Sequence, residues 1–110
     1  MKININSLVE KFKDSPLDRT LLKDLIIEAK IIKVPERSLL SGYIILGDET
    51  GTLEAVAPDS NIHDYLKSFA GKKQILKLKG LLGKTEYGNV AFEIEEILNW
   101  NGFWEKGIQP

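Results

Sequence analysis

The sequence predicts a mainly β fold, a five-stranded Greek-key barrel with one helix between its third and fourth strands and a short helix ahead of its first. Three observations predict it. Five apolar stretches of strand length are separated by clusters of Gly, Pro, Asp, Asn and Ser; the last two of them alternate apolar and polar residues strictly; and only two short segments carry apolar residues at helical spacing. At 110 residues, 43% hydrophobic and 28% charged, the chain has the length of one domain and enough apolar material for a core.

Each element has its own reason. Ser7 to Lys13, SLVEKFK, puts Leu8, Val9 and Phe12 on one side of a helix that Asn6 or Ser7 can cap and Pro16 stops. From Asp24 the texture changes to LIIEAKIIKV, too β-branched to favour a helix, which predicts a long strand over Leu25 to Val34, ended by Pro35. After a loop, Gly42 opens a second strand, YIIL, and Gly47 to Gly51 supply turn formers before a third strand resumes with Leu53, Ala55 and Ala57. In that turn Gly51 can take positive φ, and Asp48 and Thr50 can bond neighbouring amides; Asp48-Glu49 is a turn, not a catalytic pair. Pro58 to Asn61 break the sheet and can cap a helix from Ile62 to Ala70, whose Ile62, Tyr65, Leu66 and Phe69 plug the barrel end and which Gly71 closes. QILKLKG, from Gln74, is a half-buried strand with Leu76 and Leu78 on one side and Ile75, Lys77 and Lys79 on the other. A loop containing Gly83 and Tyr87-Gly88 then precedes NVAFEIEEI, whose Val90, Phe92 and Ile94 face the core. The expected division is a helical arm over residues 1–21, the barrel over 22–98 and an aromatic tail over 99–110.

Composition removes whole classes of function. Fifteen Lys and Arg against sixteen Asp and Glu leave a net charge of -1, so any nucleic-acid site is a local patch and not a global field. The absence of cysteine excludes thiolate nucleophiles, disulfides and Cys-ligated zinc, and one histidine cannot build a metal centre alone. His63, beside Asp64 at the start of the second helix, has no nucleophile to serve and is read as ordinary surface. No catalytic constellation, metal site or cofactor is expected. Met1 to Asn6 lacks the basic-then-apolar pattern of a secretory leader and no run is long enough to span a bilayer, so the expectation is a cytoplasmic protein with no membrane partner.

Three strands, a helix and two strands is the element order of the OB fold, whose second and third strands and two long loops form a binding face. Gly42 to Ser60, GYIILGDETGTLEAVAPDS, resembles the second and third strands of archaeal single-stranded-DNA-binding proteins and the replication protein A family, where an apolar strand runs into an Asp-Glu-Thr-Gly turn and then an alternating strand. The resemblance continues through Gly71 to Lys79 and Tyr87-Gly88-Asn89-Val90, and covers roughly residues 24–97. It implies single-stranded DNA as the partner, and replication or repair as the setting. It also implies stacking rings near three positions where this chain has Pro58, Leu82 and Glu86, which leaves stacking to Tyr43 and Tyr87.

The charge half of such a site is richer. Between Tyr65 and Thr85 there are six lysines and one acid-free run, and Lys77, Lys79 and Lys84 there, joined by Lys30, Lys33 and Arg37 from the first strand and its loop, form an expected phosphate track. The competing reading makes Lys77 and Lys79 the wet face of a half-buried strand. Glu93, Glu95 and Glu96 are then a solvated face or partners of those lysines. The tail holds Trp100, Phe103 and Trp104, three of the nine aromatic residues. They either pack back on Leu8 and Phe12 or form a protein interface of the kind the resemblance implies. The second function reading is therefore an OB-fold accessory subunit that binds a polymerase or a single-strand-binding assembly, with little DNA affinity of its own.

Overall fold

The structure, a computed structural model, describes residues 4–14, 21–35, 42–85 and 87–98. Arg37, Glu86, Trp100, Phe103 and Trp104 lie outside the described residues. Alternation writes the sheet: the inward positions Leu25, Ile27, Ala29 and Ile31 of β1 (Leu22–Lys33), Ile44 and Leu46 of β2 (Tyr43–Asp48), and Leu53 and Ala55 of β3 (Gly51–Val56) are all buried. So are Leu76, Leu78 and Leu82 of β4 (Leu76–Lys84) and Val90, Phe92, Ile94 and Ile97 of β5 (Val90–Ile97). The strands close in the order β1-β2-β3-β5-β4, with β3 and β5 parallel and every other pair antiparallel, which is the five-stranded OB-type Greek-key barrel.

Helix α2 (Ser60–Lys67) lies between β3 and β4, capped by the Asp59 carboxylate, which accepts from the amides of Asn61 and Ile62. It buries Leu66 completely and lays Ile62, Tyr65 and Phe69 on the core, the last two rings meeting edge to face at 5.1 Å. The helix ends at Lys67, three residues before the expected end. Tight turns then carry the chain to Gly71, whose φ of 77° and amide bond to the Ile31 carbonyl at 3.0 Å turn it into β4.

Helix α1 (Ile5–Phe12) starts at Ile5 and is capped by Asn4, not by Asn6 or Ser7; Ser7 donates its amide to the Asn4 side chain at 2.8 Å. The two amides before Ser7 find acceptors on the β2–β3 turn: Ile5 donates to Asp48 Oδ2 at 2.8 Å and Asn6 to Thr50 Oγ1 at 3.0 Å. A remote turn thus satisfies the first-turn donors that a helix leaves free, and Ile5 and Leu8 join the core. The turn does not use the positive φ open to Gly51. Asp48 Oδ1 instead accepts from the amides of Thr50 and Gly51, an Asx-type turn that needs no left-handed residue.

Three further departures come from pairing, which local propensity does not record. β1 begins at Leu22 instead of Leu25, with Asp24 at φ 52° where the register to β4 shifts; an Asp tolerates that conformation. β4 runs on to Lys84, so Gly83 sits in a strand opposite Ala91 and not in a loop. On β5 the register to β4 jumps from Lys79↔Glu96 to Gly80↔Ile94, a bulge that leaves Glu95 and Glu96 both exposed and brings Ile97 back to the core.

Candidate nucleic-acid interface

The outer face of β2 and β3 is the surface that an OB barrel offers to a ligand. Its outward side chains follow from alternation: Tyr43 and Ile45 on β2 lie opposite Val56 and Glu54 on β3, and Lys33 of β1 stands beside Ile45. Tyr43 and Val56 stand at one end of this face. The β4–β5 loop, residues 85–89, borders the other, since parallel pairing sets Ala91 against Glu54. An open groove of about 370 Å³ runs there, between Val9 of α1 and Lys13 just past its end, Ile45, Thr52 and Glu54 of the face, and Gly88 and Asn89 of the loop.

The loop is built by Thr85, whose hydroxyl accepts from the amides of Tyr87 and Asn89, while its own amide donates to the Asn89 carbonyl at 2.8 Å. Gly88, at φ 87°, makes the reversal. At its tip Tyr87 is 70% exposed. Tyr43 is half-buried and donates its hydroxyl to Glu54 Oε1 at 2.9 Å. Burial, then the hydrogen bond and charge of Glu54, pushes the Tyr43 hydroxyl up to about 12, so it remains a donor at neutral pH. The second carboxylate oxygen, Oε2, is buried with no hydrogen-bond partner.

The expected lysine track is divided. Lys77 and Lys79 point outward as alternation predicts, but β4 pairs with β1 and β5, and these strands separate it from β2 and β3 around the closed barrel. There Lys77 stands opposite Glu28, and Lys79 lies between Ile26 and Glu96 and 3.9 Å from Asp24. Their acidic surroundings match the wet-face reading. Lys84 is taken up elsewhere: its ammonium donates to the carbonyl of Lys13, tying β4 to the C-terminal end of α1. Lys30 faces outward beside Gly47, next to a small cleft that also holds Glu28, Asp48, Glu49 and Ile75. Of the described lysine candidates, Lys33, beside Ile45, and Lys30, beside Gly47, are the two that border β2 directly.

Of the three positions where the resemblance implied rings, Pro58 is exposed and Leu82 is completely buried in the core, so no side chain at position 82 can present itself to a base. Lys13, Thr52, Glu54 and Asn89 join the face without having been predicted. Glu54 was within reach, since it alternates with Leu53 and Ala55; Lys13 depends on where α1 docks. Compared with known protein families and with curated proteins, the chain matches none.

Proposed function

We propose that the chain is a binding module without catalysis of its own that takes single-stranded nucleic acid, DNA in the first place, across the outer face of β2 and β3 in replication or repair. The observation that carries this reading is the join of that face to the groove under the β4–β5 loop, with a solvent-facing tyrosine, Tyr87, at the loop tip. A ring that exposed adds nothing to the core, and base stacking is worth about 1–3 kcal/mol per base. Lys33 and Lys13 flank the face and supply phosphate contacts; Arg37, four positions after Lys33 in the sequence, is offered as a third on its charge alone.

Two or three phosphate contacts on a single strand give a salt slope of about −2, shallow for a nucleic-acid binder. Fluorescence anisotropy with a labelled oligonucleotide of about thirty residues at low salt tests this. Replacing Lys33 with Ala should weaken binding severalfold and reduce the slope by about 0.7. Replacing Lys77 and Lys79 together with Ala should change neither by more than about twofold. No binding at tens of micromolar protein would end this reading.

A second reading, an accessory subunit that docks on protein, is favoured by one observation. Ile26 of β1 and Ile75, just ahead of β4, are each 45% exposed, and neither lines the groove under the β4–β5 loop. A bait lacking Trp100, Phe103 and Trp104 should still recover the full chain's partner if this isoleucine face is the docking surface, and should lose it if the tail is.

A further inference from the structure

The most unusual polar group on the β2–β3 face is the Glu54 carboxylate. One oxygen is fixed by the Tyr43 hydroxyl at 2.9 Å; the other, Oε2, is shut from solvent and meets no donor. A buried acceptor left without a donor is unfavourable, the more so when it carries charge. Among the described residues nothing relieves it: Lys13, which lines the same groove, holds Glu10 at 3.0 Å, and Glu54 pairs across the strands with Ile45 and Ala91. Among the described residues, Glu54 Oε2 is the one buried side-chain oxygen or nitrogen without a hydrogen bond. The groove, at about 370 Å³, falls within the range of ligand pockets. An acceptor held at one end and vacant at the other, on a face that takes bases, has the chemistry to receive an N–H from a ligand.

We infer that Glu54 reads the exocyclic amino group of a base laid on the β2–β3 face, so that the chain selects cytosine over thymine. This rests on the single-strand reading above and names its preferred base. Cytosine offers the N4 amino donor that a carboxylate accepts; thymine presents the O4 acceptor at the same position, which a carboxylate repels. Both are pyrimidines of like size, so stacking on the tyrosines and phosphate contacts are common to the two and cancel in the comparison. Binding a base means moving the side chains that cover Oε2, and the hydrogen bond then formed satisfies an oxygen that the free protein leaves unpaired.

The test is anisotropy of the full chain with labelled oligo-dC, oligo-dT and oligo-dU of equal length at low salt. The deoxyuridine strand separates the amino-for-keto exchange from the thymine methyl. The wild type should bind oligo-dC about tenfold more tightly than either of the others, a ratio expected of one charge-assisted hydrogen bond. Glu54→Gln keeps a carbonyl oxygen for Tyr43 and turns an amide NH₂ towards the base, so its preference should fall to parity or invert towards dT and dU. Its melting temperature is read alongside to establish that it folds. Equal affinity of the wild type for all three strands overturns the inference and leaves the single-strand reading standing. A cytosine preference that a folded Glu54→Gln retains overturns it as well. Absence of binding to any strand at tens of micromolar removes the single-strand reading, and this inference with it.

Discussion

Replacing Gly80 with Ala should destabilise the barrel by about 4 kcal/mol or more and lower its melting temperature steeply. Gly80 is buried in β4 opposite Ile94, at the point where the β5 bulge shifts the register. A Cβ there would be driven onto the carbonyl oxygen of Glu93, 2.9 Å from that group's carbon and 3.2 Å from the amide nitrogen of Glu95. These are backbone atoms of a paired strand and cannot rotate away. The two strands would have to part, at a cost above about 4 kcal/mol, in a chain of a size whose whole stability is roughly 5–15 kcal/mol. The check is thermal unfolding by circular dichroism together with amide dispersion in a ¹H–¹⁵N spectrum. Gly71→Ala is the contrasting variant: open space surrounds its Cβ, and only its φ of 77° is adverse, so it should cost about 1 kcal/mol and keep the fold.

Replacing Asp48 with Ala should release α1 from the barrel and cost about 3 kcal/mol. One carboxylate binds the amide of Ile5 across 43 residues of chain as well as the amides of Thr50 and Gly51 and the hydroxyl of Thr50, so the turn and the helix start fail together. The groove loses its Val9 and Lys13 wall in the same step. Hydrogen exchange should show α1 amides unprotected while those of β4 and β5 stay slow. The pH dependence has a definite sign. Burial pushes the Asp48 pKa up, but its hydrogen bonds from Thr50, Ile5 and Gly51 outweigh that and hold it below the usual 3.8. A depressed folded value means the contribution is complete above pH 3.8 and drains away as pH falls through the lower folded value. The stability difference between wild type and Asp48→Ala should therefore be constant near neutrality and shrink in that acid window.

What the sequence reveals here, and what it hides, divides along local and long-range causes. Strict alternation at Leu76 and Leu78, and at Val90, Phe92 and Ile94, put the right residues inward because a half-buried strand is a local pattern. The turn after Asp48 was recognisable for the same reason. Its second duty, capping α1, was not, since the donor is 43 residues away. The Glu95 bulge and the strand position of Gly83 arise from pairing between β4 and β5, which neither strand records alone. The lysines show the limit most clearly. Lys77 and Lys79 point outward as read, and β4 does neighbour β1; but closing the barrel turns their side of it away from β2 and β3 and surrounds them with Glu28, Asp24 and Glu96. A charge run in sequence gives the sign of a surface, and topology decides which ligand that surface meets.

The central claim is that nucleic acid lies across β2 and β3, into the groove under the β4–β5 loop. Amide and methyl chemical-shift mapping of the ¹⁵N,¹³C-labelled chain during titration with a short oligo-dC tests it most directly. The account predicts saturable shifts at Lys33, Tyr43, Ile45, Thr52, Glu54, Gly88 and Asn89, with the amides of Lys77 and Lys79 unmoved. Shifts gathered on the outer face of β4, around Lys77 and Lys79, with the β2–β3 face silent, would contradict it.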